Sequence, residues 1–209
     1  MTALRAAALA ALCAVAAAAA PRAGPPSALW RIDPEASSIA FEYVANGRPG
    51  VGRLRRFEGS GVFDPARPQD TTLRMSFDMR SLDLGDPLRT MFAAGPDWFD
   101  VRAHPRATFE LDRLDPIDPA AQGPIAPGMS RDYMARGRLT VKGRTRALAA
   151  PATLELDSGG ARARGRATFD PRIFGVGEGP SAAFVSIGPE VAVIYDVRAA
   201  PAPTQEQPQ

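Results

Sequence analysis

The residue types able to do chemistry are thinly spread in this chain. Its only histidine, His104, stands in DWFDVRAHPRATFEL, residues 97–111, with Asp97 and Asp100 close by. A Ser-His-Asp or Cys-His nucleophile needs a base within hydrogen-bond reach. One histidine leaves one candidate, and Pro105 behind it biases His104 toward extended backbone. The reading from the residues is a structural histidine in a loop that leads into a strand. Glycosidase-type acid/base work would need Asp97 to meet Asp100, or Glu42 to meet Glu58, in space. Acidic residues on strands more commonly form a solvated face. The aspartates are scattered through turns, without the Asp, Gly and Glu spacing of a calcium loop. Gly175 and Gly177 in FGVGEG imitate half of a phosphate-binding loop, but no helical pattern follows, so the segment reads as a turn. The expectation is no catalytic residue, no metal and no cofactor.

Positive charge is carried almost wholly by arginine, since Lys142 is the only lysine, and 25 basic against 23 acidic residues leave a net charge of +2. Nucleic-acid proteins usually concentrate basic charge on a stripe or an arm, so no nucleic acid is expected as a partner. Arg162, Arg164 and Arg166 alternate with Ala161, Ala163 and Gly165. They form either an exposed face or a basic ladder for phosphate headgroups or an acidic partner. The small residues opposite would leave room inside a barrel. Leu54-Arg55-Arg56-Phe57 is ambiguous in the same way.

The first twenty residues, MTALRAAALAALCAVAAAAA, have an early Arg5, an uncharged small-residue run and then Pro21. This is the layout of a secretory signal cleaved near Ala19 or Ala20. Cys13, the one cysteine of the chain, lies inside it. A mature chain without cysteine would use no disulfide in an oxidising compartment, so its stability must come from its core. A flexible leader over 21–27, one domain over 28–199 and a disordered tail over 200–209 complete the expected organisation.

Within the domain, period-2 alternation dominates. Ile39, Phe41 and Tyr43 share one face, as do Leu73, Met75, Phe77 and Met79, and again Val191, Val193, Tyr195 and Val197. Further strands are expected over 57–63, 107–114, 132–141, 145–156 and 161–169. Asp64-Pro65, Lys142-Gly143 and Ser158-Gly159-Gly160 punctuate them. About eight short antiparallel strands predict an all-β sandwich or closed barrel. DPLRTMFAAG, residues 86–95, breaks the pattern: Asp86 suits a cap, Pro87 a first turn, and Leu88, Met91 and Phe92 fall on one helical face, with Gly95 as a stop. Such a helix often plugs or lids one end of a barrel. The remaining chemistry is apolar. Phe41, Tyr43, Phe57, Phe63, Met75, Phe77, Phe92, Trp98, Phe99 and Phe109 either pack the interior or line it, because a barrel of about eight strands is the size that fills with side chains or holds one ligand.

WRIDPEASSIAF (30–41), RFEGSGVFDP (56–65), DWFDVRAHPRATFEL (97–111), GRLTVKGRTRAL (137–148) and FGVG (174–177) resemble, in order and spacing, the motifs of the YceI-like family. The resemblance covers about residues 29–199. It implies an extended, eight-stranded, lipocalin-like antiparallel β-barrel in the bacterial periplasm. Its elongated apolar cavity would bind a polyisoprenoid or isoprenoid quinone, with the ten apolar residues above and Arg89 as ligand contacts. It also makes His104 part of a structural signature. The chain departs from the family where Ala36 replaces a common histidine, where Arg89-Thr90-Met91-Phe92-Ala93 replaces an Arg-Asp-x-His-Leu run, and where Pro171 to Gly175 replaces an Arg-x-Asp-Phe-Gly run. Arg89 is thus the first polar candidate and Arg172 a weaker one. A side-chain-filled envelope interaction module is the alternative reading. Membrane-surface or envelope-protein contact and a homodimer stay open.

Overall fold

The computed structural model describes residues 28–203; the expected signal, the leader and residues 204–209 of the expected tail lie outside the described residues. Ten strands and one helix follow in order: β1 (Ala28–Ala45), β2 (Arg48–Leu54), β3 (Phe57–Phe63), β4 (Thr72–Asp78), β5 (Leu82–Asp83), α1 (Pro87–Ala93), β6 (Arg106–Pro116), β7 (Ser130–Val141), β8 (Arg144–Leu156), β9 (Ala161–Phe169) and β10 (Val191–Pro201). Every pairing is antiparallel, and β10 returns to β1 to close the sheet. The ten strands make eight staves, because β1 pairs with β3 along its first part and with β2 along its second, while β4 lies on β3 and β5 on β2. The wall is therefore an eight-stranded barrel, and β10 runs two residues into the segment expected as tail.

The strands β2 and β5 were not foreseen. RPGVGRL has glycine where an apolar residue would complete a period-2 pattern. The turn before it does carry a signal: Asn46 and Gly47 adopt φ of 49° and 71°. Two left-handed residues in succession are the I′ turn that an Asn-Gly pair favours, and its twist suits a hairpin. Lys142 and Gly143 do the same between β7 and β8, with φ of 51° and 70°.

A long stave must bend to wrap a barrel, and β1 does so at a bulge between Asp33 and Ser38, where its register against β10 shifts. The Asp33 carboxylate accepts the backbone N–H groups of Glu35 and Ala36 there, at 3.0 and 3.2 Å. The irregularity reverses the parity of the strand, so Trp30 and Ile32 before it and Ile39, Phe41 and Tyr43 after it all face inward. A shift between Leu111 and Arg113 in β6 likewise brings both Leu111 and Leu114 inside.

The outer face is charged. Arg138 and Arg74 flank Glu110 across β7, β6 and β4; Arg106 meets Glu58; Arg136 and Arg113 meet Asp115. Arg162 pairs with Asp196, Arg164 with Glu155, and Arg166 with Glu42 at 2.7 Å. The arginine ladder of β9 is thus matched by carboxylates on β8, on β10 and, across β10, on β1, and is not a free basic surface. Arg55 and Arg56, at the break between β2 and β3, are held by Asp83 and Asp78. Exposed pairs of this kind add little to stability one by one. Together they make a surface unlike the apolar band of a lipid-facing barrel. Among the described residues, no helix is long and apolar enough to cross a membrane.

Candidate functional site: an apolar lumen with one open end

One end of the barrel is sealed from within. Ile125, carried in by the connection from β6 to β7, is 2% exposed and packs with Phe63, Leu114, Tyr133 and Leu154. The backbone holds it there: the Ile125 N–H donates to Pro65 O at 2.8 Å, and Arg131 donates to Gly123 O at 2.7 Å.

The other end carries α1, the β1–β2 hairpin and the connection between β9 and β10. Asp86 accepts the Arg89 N–H at 2.8 Å as the helix cap, and Pro87 occupies the first turn, as the sequence predicts. The helical face does not behave as a buried stripe. Leu88 and Met91 are 68% and 67% exposed, and the buried member of α1 is Ala93. The reason is geometric. The helix is two turns long and meets the barrel edge, and only Phe92 leans back onto an aromatic partner, Trp98, at 5.7 Å between centroids.

Trp98 and Asp97 tie this end together. Trp98 Nε1 donates to Ser181 Oγ at 3.0 Å, the Ser181 N–H donates to Asp97 Oδ2 at 2.9 Å, and the Gly177 N–H donates to Asp97 O at 2.9 Å. Those donors at Ser181 hold the Asp97 carboxyl below the usual carboxylate range. Asn46 does similar work opposite: its backbone N–H donates to Ser186 O at 2.9 Å, and its Oδ1 accepts the Ser186 N–H at 2.8 Å. Asp97 is therefore a brace, not an acid paired with Asp100. Glu42 and Glu58, engaged by Arg166 and Arg106 outside the wall, do not meet.

His104 packs beside Gly143 in the β7–β8 turn, and its backbone N–H donates to Asp100 O at 2.8 Å. FGVGEG is a turn, with Gly175 and Gly177 at φ of 75° and 80°. Lys142 donates to Gly175 O at 2.8 Å, and Arg144 grips Glu178 at 2.9 Å. Arg172 is bound to Asp170 and does not line the interior. Among the described residues no group of three or more histidine, aspartate or glutamate side chains comes together.

Between the two ends lies a cavity of about 920 Å³. All the expected contact residues line it except Phe57, which packs among Ile39, Phe77 and Val101 in the barrel's side. Phe41, Tyr43, Phe63, Met75, Phe77, Phe99 and Phe109 stand on the lumen wall, while Arg89, Phe92 and Trp98 stand at the helix end. The interior stays hollow for two reasons legible in its side chains. First, β7, β8 and β9 set Ala135, Ala150, Ala152, Ala161, Ala163 and Ala167 among larger lining residues such as Leu139, Leu154 and Phe169, which leaves the wall shallow in places. Second, the aromatic rings lie flat on the wall over glycines. Phe41 covers Gly52, Tyr43 covers Gly50 and Tyr195 covers Gly165, each the cross-strand partner of its ring, so closely that a Cβ would collide with it.

Polar groups are few. Tyr195 donates to Pro151 O at 3.1 Å, and burial pushes its hydroxyl pKa up to about 12. Trp30 Nε1 and Tyr43 Oη are buried without a hydrogen-bond partner. The charged lining residues are Arg48 and Arg89, both exposed at the helix end with Asn46 and Leu88, so the lumen opens there. Arg48 and Asn46 escaped the sequence reading; the Asn46-Gly47 turn was the signal that places them.

A closed antiparallel barrel, plugged at one end and hollow with an apolar lining, defines the lipocalin-like class of small β-barrels. The chain belongs to the YceI-like family, whose domain matches residues 30–199. It is similar to Burkholderia cenocepacia BcnA, at 26% identity and a TM-score of 0.67, over 80% of this chain and 98% of that one. A polyisoprenoid-binding domain from Saccharophagus degradans shares the fold at 15% identity and a TM-score of 0.66, over 83% and 98% of the two chains. So does the Campylobacter jejuni YceI protein, at 15% identity and a TM-score of 0.57, over 72% and 84%. No curated protein sequence matches the chain.

Proposed function

We propose that this protein is a secreted, periplasmic, non-catalytic carrier that holds a long isoprenoid-type lipid, a polyisoprenoid or an isoprenoid quinone, in its lumen. The observation that carries the proposal is the open apolar cavity of about 920 Å³, near the upper end of the roughly 300–1,000 Å³ of ligand pockets. Burying about ten methylenes at ~0.8 kcal/mol each yields about 8 kcal/mol before association costs are subtracted. The Saccharophagus degradans neighbour, named for polyisoprenoid binding, supports the choice of ligand class. The signal-like first twenty residues support export to the periplasm. A hollow interior speaks against an interaction module filled by its own side chains.

Both tryptophans of the chain, Trp30 and Trp98, line the cavity and report on it. Titration of delipidated full-length protein with a polyprenol or a long-chain quinone is expected to change tryptophan emission saturably at micromolar ligand. Emission that stays flat with both ligands, while a fluorescent apolar probe is also refused, would reject the carrier reading.

A further inference from the structure

We infer that the open end of the barrel is a docking surface for an anionic phospholipid bilayer. The inference rests on the carrier reading for its purpose but not for its observations. Three segments frame the mouth, and each presents something a bilayer interface accepts. From α1, Leu88 and Met91 project into solvent, 68% and 67% exposed. From the β9–β10 connection comes Phe184, which at 82% is the most exposed large apolar side chain among the described residues. From the β1–β2 hairpin and α1 come the guanidinium groups of Arg48 and Arg89.

These apolar side chains are held in one frame. Phe92 of α1 stacks on Trp98, Trp98 donates to Ser181, and the Phe184 N–H donates to Ser181 O at 3.0 Å. The hairpin joins through Asn46 and Ser186. A rigid rim with protruding Leu, Met and Phe gains by sinking those side chains into the acyl boundary.

Charge selects the surface. Most arginines of the barrel wall are matched by a carboxylate; among the described residues Arg48 and Arg89 make no ion pair or side-chain hydrogen bond, and they share the lack of an ion pair with Arg31, Arg53, Arg80, Arg102, Arg146 and Arg198, none of which lines the mouth. Two unmatched cations beside exposed apolar groups complement anionic headgroups. The rim is also continuous with the lumen, since Leu88, Arg89 and Phe92 line the cavity that a membrane-resident chain would enter. The sealed end has exposed apolar residues too, Ile117 at 51% and Met129 at 43%, but neither lines the lumen. They serve as an internal control.

The test is flotation of the full chain with vesicles of phosphatidylcholine alone and of phosphatidylcholine mixed with phosphatidylglycerol. Wild type is expected to float with the anionic vesicles and to be released by salt. Met91→Asp with Phe184→Asp, neither of which lines the lumen, is expected to weaken partition by at least roughly tenfold. Arg48→Gln with Arg89→Gln is expected to weaken it by roughly thirtyfold on anionic vesicles alone. Ile117→Asp with Met129→Asp is expected to leave it unchanged. No flotation of the wild type, or equal loss in the control pair, overturns the inference. So does a dimer in sedimentation that Met91→Asp with Phe184→Asp dissolves, because the rim is then an interface between two copies. Lipid extraction of the same preparations keeps the two proposals apart: an empty wild-type lumen with intact flotation sinks the carrier and spares the docking surface.

Discussion

Glycines 50, 52 and 165 decide how much of the lumen is empty, because each lets an aromatic ring lie against the wall instead of across the barrel. Gly52 is the cleanest place to reverse this. The atoms that a Cβ there would meet belong to the side chains of Phe41 and Leu84, which can move, whereas at Gly165 the carbonyl of Pro151 also stands in the way. Gly52→Ala is therefore expected to turn Phe41 into the lumen at an overpacking cost of about 1–3 kcal/mol. Ligand capacity should fall in the tryptophan titration, while a denaturant melt stays cooperative. Adding Phe41→Leu to the same chain is expected to restore uptake. Unchanged capacity in Gly52→Ala would mean that the ring does not set the free volume.

At the scale of elements, the open end depends on carboxylates that hold segments in place, and this makes it acid-sensitive. Backbone and hydroxyl donors at Ser181 hold the Asp97 carboxyl low, and Arg144 does the same for Glu178. Arg172 holds Asp170 low, and Arg162 holds Asp196 low. A carboxylate whose folded pKa lies below its unfolded one stabilises the fold fully above the unfolded value of about 4, and that contribution is lost as pH falls through the folded pKa. The melting temperature is expected to be flat between roughly pH 8 and 5 and to drop below about 4. Asp97→Asn should reduce the slope of that drop and speed hydrogen exchange over residues 177–188 at neutral pH. An unchanged exchange rate there would remove Asp97 from its bracing role.

The same elements show what could be read in advance. The alternation of β4, β10 and the second part of β1 was plain, and α1 was announced by Asp86 and Pro87. The strand β2 was hidden, because its inward positions are glycines that serve the rings of β1 and leave no apolar periodicity to detect. The exposure of Leu88 and Met91 was equally hidden, since a helical face records spacing and not whether a partner lies opposite. For the cavity, most of the aromatic lining was legible as alternation plus resemblance. Phe57 shares that alternation with Phe63 and Phe77 yet packs in the side of the barrel. Arg48 depended on a hairpin that no apolar pattern marked.

As a whole molecule the barrel combines a charged exterior, a sealed floor and an apolar interior. Alanines set among the larger lining residues of β7, β8 and β9, and rings laid flat over glycines, leave a slot suited to a slender chain. Among the described residues the lining holds no carboxylate and no histidine: its charges are two arginines at the mouth, and its buried hydroxyls are tyrosines. Occupancy of that slot is the property on which the function turns. The most direct measurement is lipid extraction and mass spectrometry of the full chain recovered from the periplasm of a bacterial host. An isoprenoid chain near one per protein, reduced in Gly52→Ala, is the predicted result; wild-type protein that carries no apolar molecule and takes none up would contradict it.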